Sequence, residues 1–218
     1  MQVEGKMDKK TLPMWELEEA AFARGCALVC GCDEAGAGPL AGPVYAGAAI
    51  LPRGLELPYL NDSKQVTPKR RDLLFDEIRE QAVAWAVASV SPEEIDAADI
   101  LSARMKAMQL AIDQLRPAPD YALIDGNRDK GKRFAIVTPH ETVVKGDSRS
   151  ASIAAASILA KVSRDRYVSR ELDALYPQYR FARNKGYGTR AHYAALDEYG
   201  PCPAHRRTFL KKWEARRG

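Results

Sequence analysis

A chain of 218 residues with 33 Lys+Arg against 29 Asp+Glu, a formal net charge of +4 and 46% hydrophobic residues has an ordinary globular balance. That length suits one domain, or one domain with a small appendage, and excludes disorder, collagen and coiled coil as the main architecture. No apolar run reaches the roughly 18 to 20 residues that span a bilayer, and MQVEGKMDKKTLP has no apolar stretch after its lysines, so a soluble, unprocessed protein is expected.

The four cysteines, Cys26, Cys30, Cys32 and Cys202, are too sparse for a disulfide scaffold, and buried reduced thiols in a reducing cytoplasm are expected. Cys30-x-Cys32 lacks the second ligand pair that a zinc site needs. The charge is unevenly placed. Residues 180–218 hold ten Lys or Arg against three Asp or Glu, while the rest of the chain is mildly acidic. A basic end on an acidic body suggests a polyanionic partner, and a solvated, solubilising tail has the same pattern.

In chain order, PMWELEEAAFARG predicts a short helix, with Met14, Leu17 and Ala21 at helical spacing and Gly25 at its end. CALVCGCDEA and VYAGAAIL predict two strands joined by the glycine-rich GAGPLAGP. A long loop then leads to Thr67 as N-cap and Pro68 as first helical residue, with the helix running to about Gln81. AVAWAVASV predicts a third strand. SPEEIDAADI and LSARMKAMQLAIDQL predict helices capped by Ser91 and Ser102, and Pro117 and Pro119 stop the second.

YALIDG and RFAIVTP predict two more strands. DSRSASIAAASILAKVSRDRYVSRELDALY predicts one long helix, small-residue-rich and closely packed in its first half, charged in its second. A helix near Arg190 to Tyr199 and a Pro-containing basic tail complete the chain. This order argues α/β with a mixed sheet, because the opening strands lack the strand-helix alternation of a doubly wound fold.

Gly36-Ala37-Gly38-Pro39-Leu40-Ala41 matches the dinucleotide pattern G-x-G-x-x-G/A, and an oxidoreductase would be one reading. That fingerprint works through a helix N-terminus directly after the glycines, whereas here Pro39, Gly42 and Pro43 lead into a strand. Asp33 and Glu34 are more informative. They end an apolar strand, where adjacent carboxylates facing the interior carry a desolvation cost unless a cation joins them. Asp125 ends YALID in the same way, and Asp147 begins the long helix. Four carboxylates at element ends can hold two Mg²⁺ ions by oxygen ligation. Each also has a local role: strand termination for Asp33 or Glu34, a turn dipeptide at Asp125-Gly126, a helix cap at Asp147.

Taken together, CDEAGAGPLAGPVYAGAAIL, LNDSKQVTPKRRDLL, YALIDGN, VVKGDSRSASIAAASILAKVSRDRY and NKGYGTRAHYAALDEYGPCPAHRRTF resemble bacterial ribonuclease HII, in the family's order, over about residues 27–209. The resemblance implies an RNase H-like fold, a central mixed β-sheet flanked by helices, with a C-terminal helical extension. The implied units are an N-terminal extension and helix (1–26), a catalytic domain (27–175) and a basic substrate-binding extension (176–218). The implied activity is metal-dependent endonucleolytic hydrolysis of RNA in RNA/DNA hybrids, and incision of duplex DNA on the 5′ side of an embedded ribonucleotide, leaving a 3′-hydroxyl and a 5′-phosphate. By motif, Asp33, Glu34, Asp125 and Asp147 take the catalytic, metal-ligand positions for two Mg²⁺ or Mn²⁺ ions.

Gly36, Ala37 and Gly38, with Tyr187 of KGYGT, resemble the family's sensors of the 2′-hydroxyl and adjoining sugar. Asn61, Ser63 and Lys64 resemble a phosphate-contacting segment, and Lys145, Arg149, Lys185, Arg190, Arg206 and Arg207 are further candidate backbone contacts. Arg164, Arg166 and Arg170 are expected to face solvent. His192 and His205 are read as structural. One departure stands out: the family usually has Arg where this chain has Ala37. Loss of that guanidinium predicts weaker substrate binding or altered junction preference, and leaves a catalytically weak nucleic-acid-binding module as the alternative. A monomer with no membrane association is expected, and KKWEARRG holds no motif that identifies a protein partner.

Overall fold

The computed structural model describes residues 14–57, 60 and 66–216. Helix α1 (Glu16–Ala23) precedes strands β1 (Val29–Ala35) and β2 (Val44–Ile50). There follow α2 (Pro68–Gln81), β3 (Ala84–Val90), α3 (Pro92–Ala97), α4 (Ile100–Asp113), β4 (Tyr121–Asp125) and β5 (His140–Val143). A 3₁₀ turn (Gly146–Ser148) leads into α5 (Ala151–Tyr167), which continues through a π-helical stretch (Val168–Leu172) into α6 (Asp173–Leu175). The chain closes with α7 (Phe181–Asn184), α8 (Arg190–Tyr199) and α9 (Arg207–Glu214).

Among the described residues the sheet has the order β3-β2-β1-β4-β5. β1 pairs antiparallel with β2 and parallel with β4, and β5 is parallel to β4, so the sheet is mixed as expected. Alternation along each strand divides the core into two layers. Cys30, Cys32, Ala122 and Ile124 face α4 in one cluster. On the other face, α5 packs against α2 through Ile158, Leu159, Leu74 and Ile78. α5 approaches the sheet closely because two strand positions lack a side chain: a Cβ on Gly31 would lie 2.0 Å from the Ser152 carbonyl carbon, and one on Gly47 2.3 Å from the Ala156 oxygen. The run of small residues in α5 is the matching half of that contact.

Three expectations are corrected here. RFAIVTP is not a strand; β5 begins after it, at His140. Ile136 packs into the α4-side core, and the Val137 amide donates to Gln109 Oε1 of α4 at 2.8 Å, so the segment is tied down by a side chain and by the isolated Lys130–Ala135 bridge, outside the sheet. Ser102 does not cap α4. Asp99 does, accepting from the Ser102 amide at 2.9 Å, which starts the helix three residues earlier. Likewise Ser150, not Asp147, caps α5, accepting from the Ile153 amide at 3.1 Å.

α1 is joined to the start of α5. Glu18, 1% exposed, accepts from the Ser150 hydroxyl at 2.6 Å, the Ser152 amide at 3.0 Å and the Ser152 hydroxyl. A carboxylate there also complements the positive end of the helix dipole.

Candidate active site

The candidate carboxylates collect at the carboxyl ends of the three parallel strands, the edge where open α/β sheets present their sites. In β1 and β4, Cys32 is level with Ile124, so Asp33 and Asp125 occupy the next, adjacent positions. Both are on the α5 face by alternation. Asp147 lies in the 3₁₀ turn after β5, and the Gly146 amide beside it donates to Asp125 Oδ1 at 2.7 Å. That bond latches the Asp147 turn to the end of β4.

Asp33 and Glu34 do not face the interior together. Consecutive strand residues point to opposite sides. Asp33 takes a hydrogen bond from Ser157 of α5, whereas Glu34 reaches the α4 side and is held by Arg104 Nη2 at 2.7 Å. Burial, reinforced by the charges of Glu34 and Asp125, pushes the Asp33 carboxyl well above the usual carboxylate range, against the opposing bonds from Ser157 and the Glu34 amide. Ser157 and Arg104 were not singled out from the sequence. The available signal for Ser157 was a polar residue in an otherwise aliphatic helix face; Arg104 had none.

A divalent ion fits this donor set. It is all oxygen, as a hard cation requires. Glu34 Oε2 is buried with no hydrogen-bond partner among the described residues, and Asp33 is a desolvated acid beside two others. Among the described residues, no group of three His, Cys, Asp or Glu side chains is drawn together tightly enough to hold an ion as it stands. Like charges separate, and here Arg104 and Gly146 supply the carboxylates with alternative partners.

The glycine loop lies beside this edge. Gly36 has φ +91°, and a Cβ there would fall 1.9 Å from Arg164 Nε, so both conformation and space demand glycine. Two buried guanidiniums hold the loop from beneath. Arg206 Nη2 donates to the Gly36 carbonyl at 2.6 Å, Nη1 to Ala37 at 2.9 Å and Nε to Gly42 at 2.9 Å. Arg164 Nε donates to Pro43 at 3.1 Å, Nη2 to Ala41 at 3.4 Å, and both Nη atoms to Lys185 at 3.2 Å.

Arg164 is therefore not a solvent-facing residue, and Arg206 is not placed to touch a phosphate. Only 1% of Arg164 and none of Arg206 is exposed. Burial, with the charge of Arg164 adding to it, pulls the Arg206 pKa down to about 9. Arg166 is partly covered, bonded to Asp72 at 2.8 Å, while Arg170 is exposed as expected.

Tyr187 comes beside the loop: a Cβ on Gly38 would lie 3.7 Å from Tyr187 Cε1. Lys145, Arg149, Arg190 and Arg207 are exposed. Lys185 is half-buried, its Nζ donating to the Ala182 carbonyl at 2.7 Å and to the Ser169 hydroxyl, so it anchors its own turn. Asn61, Ser63 and Lys64 lie outside the described residues.

The ribonuclease HII family model matches residues 30–213, which takes in every one of these groups. The chain belongs to the ribonuclease HII family. Ribonuclease HII of Acetivibrio thermocellus is 48% identical over 202 residues, covering 93% of this chain and 77% of that protein. Ribonuclease HII of Caldicellulosiruptor saccharolyticus is 46% identical over 197 residues, covering 90% of this chain and 94% of the relative. Among solved structures, ribonuclease H2 of Pyrococcus horikoshii superposes with a TM-score of 0.68 at 28% identity, covering 87% of this chain and 98% of that one. Membership in the ribonuclease HII family makes the chain an endoribonuclease hydrolase with an RNase H-like fold.

Proposed function

We propose that this ribonuclease HII hydrolyses RNA in RNA/DNA hybrids and incises duplex DNA on the 5′ side of an embedded ribonucleotide, using Asp33, Glu34, Asp125 and Asp147 as ligands for two divalent ions. The observation that carries the reading is the side-by-side placement of Asp33 and Asp125 at the ends of adjacent parallel strands, with the Asp147 turn latched to Asp125. Mg²⁺ or Mn²⁺ suits the oxygen donors equally.

The chemistry such ions supply when bound is Lewis acidity, lowering the pKa of the attacking water and neutralising charge on the departing oxygen. The water oxygen forms its bond to phosphorus as the P–O3′ bond breaks, leaving a 3′-hydroxyl and a 5′-phosphate. The chain's own residues fix the frame: Ser157 orients Asp33, Arg104 orients Glu34, and the Gly146 amide orients Asp125. Arg206 and Arg164 hold the glycine loop against the substrate, and the Tyr187 ring meets the ribose whose 2′-hydroxyl is read. Exposed Lys145, Arg149, Arg190 and Arg207 serve as phosphate contacts that set register without reading sequence. Residues 176–218 form the substrate-facing extension of the 27–175 catalytic unit, and the buried reduced thiols of Cys30, Cys32 and Cys202 fit a cytoplasmic enzyme.

Ala37 favours a second reading, a binding module with weak catalysis, because a family guanidinium is missing there. One experiment separates the two. The purified chain is incubated with duplex DNA containing one ribonucleotide, with Mg²⁺, with Mn²⁺ or with EDTA, and the cut is mapped. Metal-dependent incision on the 5′ side is expected; binding without incision would establish the second reading.

A further inference from the structure

His192 and His205 are buried, with 0% and 2% of their surfaces exposed, and all four ring nitrogens have partners. The Cys202 amide lies 3.0 Å from His205 Nδ1, the two Nε2 atoms are 2.9 Å apart, and His192 Nδ1 is 2.9 Å from the Tyr187 carbonyl oxygen. The two ends fix every proton between them. A backbone N–H only donates, so His205 Nδ1 is the acceptor and its proton is on Nε2. That proton is donated to His192 Nε2, which leaves the His192 proton on Nδ1, where it is donated to a carbonyl that only accepts. Neutral imidazoles satisfy this chain in one direction alone.

The line ends on Tyr187, a residue 44% exposed whose ring lies beside Gly38. The turn carrying it is packed closely against the loop: Gly186 has φ +81°, a Cβ there would lie 2.4 Å from the Ala41 oxygen, and the Gly186 carbonyl accepts from the Leu40 amide at 2.8 Å. Simple filling of the pocket formed with Tyr179 and Phe181 would be served better by aliphatic or aromatic carbon, because polar rings in apolar surroundings cost stability unless fully bonded. We propose that His192 and His205 are positioning residues, a buried two-imidazole relay running from the Cys202 amide to the Tyr187 carbonyl that sets the ring where it distinguishes a ribose from a deoxyribose. The inference rests on the proposed 2′-hydroxyl reading and adds to it the residues that place the reader.

The test compares His192→Asn with His192→Gln. Asn Nδ2 falls near His Nδ1 and keeps the bond to Tyr187, whereas Gln places its amide out near Nε2 and loses it, although Gln is closer to His in volume. For each variant and the wild type, affinity is measured in EDTA for a duplex with one ribonucleotide and for the same all-DNA duplex, alongside incision in Mg²⁺. We expect His192→Gln to lower the ribonucleotide preference about tenfold, the scale of one well-placed hydrogen bond, with all-DNA binding unchanged, and His192→Asn to stay within about threefold of wild type. Equal preference in the two variants, or the better preference in His192→Gln, would overturn the relay. In the wild type itself, ¹⁵N imidazole NMR should show the Nδ1–H tautomer for His192 and Nε2–H for His205; either opposite tautomer is equally fatal, even where a variant does not fold. Failure of wild-type incision would instead remove the underlying functional reading.

Discussion

Arg206 Nη2 stands 2.6 Å from the Gly36 oxygen, so a side chain from the last helical segment holds the loop that follows Glu34. Replacing it with Met would leave the Gly36, Ala37 and Gly42 carbonyls without their shared donor. Arg206→Met is expected to cost about 2–4 kcal/mol of stability by loss of charge-assisted bonds and exposure of buried acceptors. Denaturant unfolding measures this, and an unchanged midpoint would mean that the loop holds itself.

Asp33 stores instability. A carboxyl whose folded pKa is raised binds protons more readily folded than unfolded, so the fold loses stability as pH rises from about 3.9 through the folded value. Asp33→Asn removes that burden and can keep a bond to Ser157. In EDTA at pH 7 the variant should melt at least as high as wild type while incision falls on the order of 100-fold or more, as befits a lost metal ligand. A lower melting temperature would show that the carboxylate is structural.

Divalent ions should reverse the same instability. Mg²⁺ or Mn²⁺ at about 100 times Kd is expected to stabilise the wild type by roughly 2.7 kcal/mol and Asp33→Asn by much less, and EDTA should abolish incision. Thermal melts across an ion titration test this without any substrate.

Acid should act at the buried histidine pair. Burial, then the neighbouring His192, lowers the His205 pKa to about 4, and burial lowers that of His192. For a basic group with a depressed folded pKa, the unfolded chain binds the extra proton. Stability is therefore full above about 6.5, the unfolded value, and declines as pH falls toward 4. Urea unfolding between pH 7 and 4 should show the decline, and His205→Asn should flatten it.

Ala37 offers its carbonyl to Arg206 and leaves its side chain half-exposed, so an arginine fits there without disturbing the loop. Ala37→Arg should tighten substrate binding and steepen the dependence of log K on log salt by about 0.9, the increment of one phosphate contact. Binding isotherms at several salt concentrations decide it; an unchanged slope would mean that the new side chain points elsewhere.

Local chemistry made much of the fold legible. Thr67 before Pro68, Ser91 before Pro92 and the span Arg190–Tyr199 all stand where capping and periodicity put them. RFAIVTP reads as a strand because its residues are apolar, yet its buried side chains serve the α4 layer while Gln109 occupies its backbone. In the site, the carboxylates were visible as polar endings to apolar strands. Their division between two sheet faces follows from alternation, but which helix residue meets each one depends on tertiary packing. Arg164 and Arg206 show the same limit: a guanidinium in a charged stretch looks solvated until six carbonyls are found around the pair.

Glu18 gives the chain an edge that the family model does not draw. The family match begins at residue 30, yet the carboxylate that binds Ser150 and Ser152 comes from α1. A fragment cut at the start of that match would retain all four candidate ligands while exposing the root of α5, the helix that brings Ser157 to Asp33 and directly follows the Asp147 turn. The stretch that the family model covers and the mechanical unit of this protein are thus different lengths of chain, and the difference includes a helix that carries no chemistry but keeps the chemistry in register.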